Sequence, residues 1–326
     1  MNVAIIGCGL IGQKRLQALG SEHRLVAAAD TVLERARALA QRHPEALVTR
    51  EWEQVICRSD VEAVIVSTTN NWLAPITLEA VRAGKHVLVE KPAARTPEEL
   101  DPVIAIAESK GLCVQVGFNH RYHPGIVKAR ELVDGGHLGP LLFVRARYGH
   151  GGRLGYEREW RADRKVSGGG ELLDQGIHLI DLARWFLGDF EHVTGSVHTY
   201  FWNMEVEDNA FLLLRTAQNQ VAQLHVSWTE WKNLFSFEIC TKLAKLEICG
   251  LGGSYGIERL TFYQMLPRLG PPETTIWEYP GEDFSWQCEF QAFSEAARLR
   301  KKPATGLRDA RAALEVVHHL YRGKDS

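Results

Sequence analysis

The first twelve residues place a glycine-rich loop between a predicted strand and a predicted helix. An apolar run at residues 3–6 leads into Gly7, Gly9 and Gly12, in the spacing G-x-G-x-x-G, and the helix is predicted to begin near Ile11. In such a unit the first glycine permits a tight turn, the second lets the backbone approach a pyrophosphate, and the third lets the helix pack on the strand. Because the helix N-terminus then faces the phosphates, the pattern predicts a dinucleotide site, with an ordinary turn as the alternative.

Apolar runs recur through the first third of the chain, separated by segments of helical pattern. They lie at residues 3–6, 25–29, 63–66, 86–89 and 113–116. Continuous apolar strands that alternate with helices are typical of a parallel sheet covered on both faces. We therefore predict an α/β fold in which the N-terminal domain, residues 1–121, is a doubly wound parallel sheet.

The pattern changes after Pro124. Alternating runs follow one another at residues 141–148, 210–216, 221–228 and 235–241, interrupted by a predicted helix at residues 171–187. Strands in such succession favour an antiparallel sheet, so we predict a second, α+β domain at residues 122–326. Two further helices are predicted near residues 284–301 and 307–322, and either could pack on the first domain.

Length and composition narrow the class of protein. A chain of 326 residues favours two domains, and 45% hydrophobic with 24% charged residues is ordinary for a globular protein. The net charge of -2 provides no basic field for nucleic acid or an anionic membrane. We see no leader and no membrane-spanning apolar run, and the six scattered cysteines without a C-x-x-C pair predict reduced thiols in the cytoplasm.

Asp30 closes the second apolar run, at the distance where an acidic residue meets the adenosine ribose of a bound dinucleotide. Its carboxylate would accept hydrogen bonds from the ribose hydroxyls and repel a 2′-phosphate. The prediction is therefore a preference for NAD, while Arg35 on the following helix keeps NADP open. A helix N-cap is an alternative role for Asp30, and the two roles can coexist.

Lys91 lies in Glu90-Lys91-Pro92, directly after the run at residues 86–89. In doubly wound sheets, ligands bind at the carboxyl ends of the strands, so this lysine is placed where substrate and nicotinamide should meet. Its ammonium could hydrogen-bond a substrate oxygen and stabilise negative charge there. The alternative is a solvated loop lysine, which the turn-fixing proline makes less favourable.

A glycine triplet at residues 168–170 opens the predicted helix that carries Asp174 and His178. Four residues apart on an α-helix, the two side chains share one face, and polar groups in so apolar a helix must be satisfied or functional. His178 could take the proton of a reacting hydroxyl, while Asp174 orients the imidazole or binds a neighbouring hydroxyl. A satisfied core pair without catalytic duty is an equal alternative, and a metal site lacks a third ligand at this spacing.

Together, the glycine loop, Glu90-Lys91-Pro92 and D-x-x-x-H after a glycine triplet resemble the glucose-fructose oxidoreductase / inositol dehydrogenase / MocA (Gfo/Idh/MocA) family. The resemblance covers essentially the whole chain. It implies a Rossmann domain, followed by a domain with an open, mostly antiparallel sheet used for substrate contact and often for oligomerisation, as a homodimer or homotetramer. It also implies that Lys91 is catalytic together with Asp174 and His178.

The resemblance assigns further contacts by position. Residues 67–70 match a cofactor-contacting segment, and residues 116–124 match the crossover in which Asn119 approaches the nicotinamide and Arg121 the substrate. The predicted cofactor contacts are Gly7, Gly9, Leu10, Ile11, Gly12, Asp30, Ser67, Thr68, Thr69, Asn70, Glu90, Lys91 and Asn119. The predicted substrate contacts are Lys91, Arg121, Trp160, Arg161, Asp174 and His178, and Asp181 is predicted to be structural.

The side chains near the substrate bear on its class. The guanidinium of Arg161 suits carboxylates and phosphates, which raises the hypothesis of an anionic or nucleotide-linked sugar. The aromatic residues Trp228, Trp231, Phe235 and Phe237 could stack sugar rings, but their spacing favours core or subunit interface.

The leading hypothesis is therefore an NAD(P)-dependent oxidoreductase that transfers hydride between nicotinamide and a secondary alcohol or ketone of a sugar, cyclitol or sugar derivative. The alternatives are a catalytically silent regulator that binds cofactor or sugar, an imine or enone reductase, and a glycoside hydrolase that uses NAD. No metal is predicted.

Overall fold

Two sheets, one parallel and one mostly antiparallel, organise the chain. The structure is a computed structural model that describes residues 1–324. Its first unit comprises Met1–Phe118, Lys165–Gly168 and Trp286–Leu314, and its second comprises Asn119–Arg164, Gly169–Ser285 and the residues from Glu315 on.

The first unit contains the parallel sheet. Its strands are β1 (Asn2–Ile6), β2 (Arg24–Ala29), β3 (Leu47–Thr49), β4 (Ala63–Val66), β5 (His86–Val89) and β6 (Val114–Val116), and the helices between them are α1 (Leu10–Gln17), α2 (Leu33–Ala40), α3 (Trp52–Ile56), α4 (Asn70–Arg82) and α5 (Asp101–Lys110). The strand order is β3-β2-β1-β4-β5-β6, with every pair parallel. The doubly wound sheet is thus confirmed. Its apolar strands, such as the fully buried β4, are the runs from which it was predicted.

The second unit contains an eight-stranded sheet. Its strands are β7 (Leu141–Gly149), β8 (Phe190–His198), β9 (Asn209–Thr216), β10 (Val221–Ser227), β11 (Leu234–Thr241), β12 (Ala244–Cys249), β13 (Glu258–Gln264) and β14 (Glu273–Tyr279), and its helices are α6 (Pro124–Asp134), α7 (Arg164–Ser167) and α8 (Ile177–Leu187). The order is β14-β13-β12-β11-β7-β10-β9-β8, and every pair is antiparallel except β7 with β10. The mostly antiparallel sheet is confirmed as well.

Two helices follow the second sheet, α9 (Ser285–Leu299) and α10 (Leu307–Lys324). Phe290 and Phe293 of α9 are buried in the same apolar cluster as Val3 and Ile5 of β1. Residues 286–314 therefore belong to the first unit, whereas the sequence divides the chain into the contiguous ranges 1–121 and 122–326.

A π-helical turn, Leu172–Gly176, precedes α8, where the sequence predicts one continuous α-helix at residues 171–187. Asp174 lies in this π-helical turn and His178 in α8, so the α-helical spacing that predicts a shared face does not apply to the pair. Short π-helical segments are frequent at functional sites. The remaining short helices are 3₁₀ turns at Pro97–Leu100, Asn119–Tyr122, Tyr156–Arg158, Trp160–Ala162 and Gly253–Tyr255.

The predicted aromatic run is mostly core. Trp228, Phe235 and Phe237 are buried, whereas Trp231 is 64% exposed. Across residues 1–324, no helix is both long and apolar enough to cross a membrane.

Candidate functional site

The glycine loop joins β1 to α1 in the predicted order, and its three glycines have different surroundings. A Cβ on Gly7, which has a φ of +92°, would lie 2.4 Å from the carbonyl oxygen of Ser67, and one on Gly12 would lie 2.1 Å from that of Gly7. A Cβ on Gly9 would meet no described heavy atom within 4 Å. Packing therefore requires Gly7 and Gly12, whereas the space at Gly9 is open. The loop fits a pyrophosphate that approaches the backbone at Gly9.

Asp30 is fixed beside this loop by two backbone N–H groups. Its Oδ2 accepts from Cys8 N at 2.8 Å, and its Oδ1 accepts from Val32 N at 2.8 Å. The N-cap position of α2 is Val32, so Asp30 does not occupy the predicted cap position, although it satisfies that residue's N–H. Burial, and then the negative charge of Asp30, raises the pKa of the Cys8 thiol to about 12. The carboxylate is therefore oriented at the end of β2, where a ribose is expected.

The segment at residues 67–70 lies against the glycine loop because β4 pairs with β1. Ser67 Oγ donates to Gly7 O at 2.7 Å, and Thr69 Oγ1 donates to Asn71 Oδ1 at 2.7 Å. Asn70 Nδ2 donates to Ser167 O at 2.8 Å. The side chain of Ser67 thus supports the glycine loop, whereas that of Asn70 binds the backbone at Ser167. The cofactor contacts of both, like those of Thr68 and Thr69, stay predictions.

Lys91 follows β5 in a cis Lys91-Pro92 peptide, and its neighbour in the chain, Glu90, belongs to a buried ion cluster. Glu90 Oε1 accepts from Arg15 Nε at 2.6 Å, and Arg15 Nη1 donates to Glu289 Oε2 at 2.5 Å. Arg15 is fully buried, and its guanidinium also lies 4.4 Å from the ring centroid of Trp286. The carboxylate of Glu90, predicted to contact the cofactor, is therefore bound by Arg15. Sequence reasoning missed Arg15, whose only signal was a basic residue three positions after Gly12, on the same side of α1.

Replacing Arg15 should destabilise the first unit strongly. We expect Arg15→Met to lower the free energy of unfolding by about 3–5 kcal/mol, because it leaves Glu90 and Glu289 buried without their cation. Urea unfolding measures the change. The control is Arg82→Met, which removes an exposed ion pair to Glu79 and should cost less than about 1 kcal/mol. Equal losses in both variants would contradict the assignment.

In the second unit, His178 lies in an aromatic group at the start of α8. It is buried and stacks on His120, with ring centroids 3.9 Å apart and planes at 24°. His120 Nδ1 lies 3.2 Å from Asn119 Oδ1, and Asn119 Nδ2 donates to Ser285 Oγ at 3.0 Å. Tyr148 lies against both histidines. The predicted residues Asn119 and His178 are thus linked through His120, which the sequence did not single out.

Arg121 and Asp181 form a buried two-point ion pair. Arg121 Nε donates to Asp181 Oδ2 at 2.8 Å, and Nη2 donates to Oδ1 at 2.6 Å. A planar guanidinium held at two points is oriented firmly. The structural role predicted for Asp181 agrees with this pair, and the substrate contact predicted for Arg121 would have to be made beside it.

Asp174, on the π-helical turn, meets Arg161. Arg161 Nε donates to Asp174 Oδ2 at 3.2 Å, Nη1 lies 3.8 Å from Glu159 Oε2, and the guanidinium lies 4.5 Å from the Trp160 ring centroid. Burial, followed by the charges of Asp174 and Glu171, raises the pKa of the nearby Tyr156 hydroxyl. The structure therefore brings together three predicted substrate contacts, Trp160, Arg161 and Asp174.

Metal chemistry has no support from side-chain clusters. Within the described residues, no group of three or more His, Cys, Asp or Glu side chains could hold a metal ion. All six cysteines are free thiols.

The fold and the glycine loop define a dinucleotide-binding protein of the Rossmann class, and comparison with family models gives its family. Residues 1–118 match "Oxidoreductase family, NAD-binding Rossmann fold", and residues 126–255 match "GFO/IDH/MocA C-terminal domain". The chain belongs to the Gfo/Idh/MocA family of oxidoreductases.

Several dehydrogenases are similar in sequence. Inositol 2-dehydrogenase 2 of Saccharopolyspora erythraea is 32% identical over 69% of this chain and 66% of its own length. Levoglucosan dehydrogenase of Pseudarthrobacter phenanthrenivorans is 29% identical over 61% of this chain and 54% of its own length. D-glucoside 3-dehydrogenase of Escherichia coli is 33% identical over 58% of this chain and 54% of its own length. The chain thus aligns with little more than half to two thirds of these relatives.

Solved structures share the fold over nearly the whole chain. Levoglucosan dehydrogenase in complex with NADH and levoglucosan has a TM-score of 0.89 at 21% identity, covering 99% of this chain and 97% of that one. GenD2 from gentamicin A biosynthesis, in complex with NAD, has a TM-score of 0.84 at 24% identity, covering 100% of this chain and 94% of that one.

Proposed function

We propose that this protein is an NAD-dependent dehydrogenase that oxidises a secondary alcohol of a neutral sugar or cyclitol. The observation that carries the proposal is the glycine loop, open at Gly9 and flanked by Asp30, in a chain that also holds Lys91 and the Asp174/His178 segment. Relatives named as inositol, levoglucosan and glucoside dehydrogenases support this substrate class.

The proposed mechanism gives each residue one task. Lys91 donates a hydrogen bond to the reacting oxygen and stabilises its developing negative charge. His178 accepts the hydroxyl proton, and Asp174 binds a neighbouring hydroxyl. The nicotinamide, when bound, supplies the carbon that accepts the hydride. Gly9 and Asp30 hold the pyrophosphate and the ribose.

The charge of the substrate follows from Arg161. Its guanidinium pairs with the carboxylate of Asp174, and the neighbouring Glu159 pairs with Arg153 at 2.7 Å, so the group is balanced in charge and little positive charge is left for an anionic ligand. This pairing favours a neutral polyol over the anionic or nucleotide-linked sugar that the sequence raised as a hypothesis.

One activity screen tests the proposal. Purified protein is mixed with NAD and a panel of inositols, neutral sugars, glycosides, uronates and nucleotide sugars while reduced cofactor is followed. Turnover with neutral members supports the proposal, and turnover confined to acidic members contradicts the neutral substrate. Absence of turnover throughout favours a silent regulator, and glycoside cleavage without net reduction favours a hydrolase.

Asp30→Ala tests the choice of cofactor. We expect the KM for NAD to rise about 10- to 100-fold, because hydrogen bonds to a charged group contribute about 1.5–3 kcal/mol and about 1.4 kcal/mol is tenfold. The ratio of kcat/KM for NADP over NAD should rise, since the repulsion of a 2′-phosphate is removed. Initial rates with both cofactors measure this, with Asp60→Ala, which removes an exposed pair to Arg58, as the control. An unchanged cofactor ratio would show that Asp30 does not contact the ribose.

The proposal includes a homodimer or homotetramer formed through the open face of the second sheet. Phe211 and Leu213 of β9 are exposed on this face, and these apolar side chains support the proposal.

A further inference from the structure

We propose that Glu207 and Tyr321 are positioning residues that fix the π-helical turn, which carries Asp174 and leads directly into α8 and His178. This inference rests on the proposed function for its catalytic meaning. Its structural part, that these two side chains hold the turn, is independent of turnover and can be tested by itself.

Glu207 receives three successive backbone N–H groups at the start of the turn. Its Oε1 accepts from Gly170 N at 3.0 Å and from Leu172 N at 3.2 Å, and its carbonyl oxygen accepts from Glu171 N at 3.0 Å. These are the N–H groups that a helix start leaves without partners inside the helix. One residue, distant in sequence, therefore supplies the whole cap.

Tyr321 of α10 completes the arrangement. Its hydroxyl donates to the same Oε1 of Glu207 at 2.7 Å. Burial, followed by the charge of Glu207, raises the pKa of Tyr321 well above its ordinary value, so the hydroxyl remains a donor. The carboxylate oxygen that caps the turn is thus itself fixed in place by a hydroxyl.

Glu207 and Tyr321 also explain why Gly169 and Gly170, which precede the turn, have no side chain. A Cβ on Gly169 would lie 2.1 Å from the Tyr321 hydroxyl oxygen, and one on Gly170 would lie 2.0 Å from the carbonyl oxygen of Glu207. No side chain fits at either position without displacing the cap. Gly169 and Gly170 therefore let Tyr321 and Glu207 approach the backbone.

The cap is one hydrogen bond away from Asp174. Gly170 O accepts from Leu173 N at 3.1 Å and from Asp174 N at 2.9 Å, so the peptide held by Glu207 also fixes the backbone of Asp174. His178 follows on α8, which continues directly from the π-helical turn. A displacement of about 1 Å at reacting groups can cost about 10²-fold in rate, so the cap has a direct route to kcat.

Burying the carboxyl group of Glu207 costs more free energy than an ordinary helix cap does. Glu207 is 0% exposed, and among residues 1–324 its Oε2 has no hydrogen-bond partner. Burial raises the pKa of this carboxyl against the opposing effects of Tyr321 and the backbone N–H groups. Local Ser, Thr or Asp side chains usually cap helices at the surface without burying a carboxylate. A buried carboxylate instead of a local cap indicates that the position of this turn matters.

The test compares Tyr321→Phe with Tyr263→Phe. Both changes remove one hydroxyl that donates to a glutamate, to Glu207 in the first case and to Glu247 Oε2 at 3.2 Å in the second. We expect Tyr321→Phe to lower kcat about tenfold, with the KM for NAD within about twofold, and to increase the deuterium isotope effect on turnover as hydride transfer becomes limiting. Tyr263→Phe should leave all three unchanged.

Hydrogen exchange at the amides of residues 170–174 is the readout that needs no activity. Tyr321→Phe should accelerate it about tenfold, and Glu207→Gln, which keeps an oxygen acceptor but loses the charge, should accelerate it in the same direction. Unchanged exchange would overturn the inference. Faster exchange with unchanged kcat would overturn the catalytic part. A wild-type protein without turnover would refute the proposed function, while exchange would still decide whether Glu207 and Tyr321 hold the turn.

Discussion

Lys91→Ala is expected to lower kcat about 10²- to 10³-fold while the affinity for NAD changes only a few-fold. The substitution removes a cationic donor from the oxygen on which charge develops, and the loss of one such donor typically has this magnitude. The glycine loop and Asp30, which carry the predicted pyrophosphate and ribose contacts, are untouched. Initial rates with the best substrate of the panel give kcat, and calorimetric titration with NAD gives the dissociation constant.

The matched control is Lys128→Ala on α6. This exposed lysine pairs with Glu131, so its removal should leave kcat unchanged. A Lys91→Ala variant with intact turnover would show that the proposed mechanism is wrong. A variant that loses NAD affinity as strongly as kcat would show that Lys91 binds cofactor and has no separate task in the chemistry.

His178→Phe is expected to lower kcat about 10²- to 10⁴-fold, the contribution typical of a general base. Phenylalanine retains a ring that can stack on His120, so packing is largely preserved and mainly the proton acceptor is lost. Rates under saturating NAD and substrate measure the effect, and thermal unfolding checks that the second unit is intact.

His120→Phe separates proton transfer from ring packing. This variant makes the same chemical change in the other ring of the stacked pair. We expect it to keep at least about a tenth of the wild-type kcat. If both variants lost the same activity, the stacked pair and not His178 alone would carry the function. If His178→Phe kept full activity, the core pair considered from the sequence would be the correct interpretation.

The fold could be predicted where local pattern decides it. The parallel strands are continuous apolar runs, and the sequence showed all of them except β3, which has three residues with only Thr49 buried. In the second sheet, no strand was predicted at β8, β12, β13 or β14: β8 and β14 are mostly exposed and β13 lacks a clear alternation, whereas β12 does alternate but is only six residues long. The packing of α9 on the first unit depends on contacts between distant residues, which no local pattern contains.

The residues of the candidate site also divide into those that a local sequence pattern indicates and those that it does not. Motifs indicated the glycine loop, Lys91, Asp174 and His178, because their residue types and spacings are themselves the signal. Arg15 and Glu207 act on segments far away in the chain and carry no local signature. The π-helical turn was also hidden, since its sequence is that of an apolar helix and its start is capped by Glu207 from outside.

The environment of Cys8 also determines how readily this thiol of the glycine loop reacts with oxidants. Only a thiolate reacts readily with peroxides and alkylating reagents. With its pKa at about 12, Cys8 is protonated at neutral pH, and its Sγ donates to Ala29 O at 3.4 Å. The exposed thiols of Cys57 and Cys288 are the accessible ones. Burial first, and then the carboxylate that is proposed to select the ribose, therefore keep the thiol of the cofactor loop in its less reactive, protonated form.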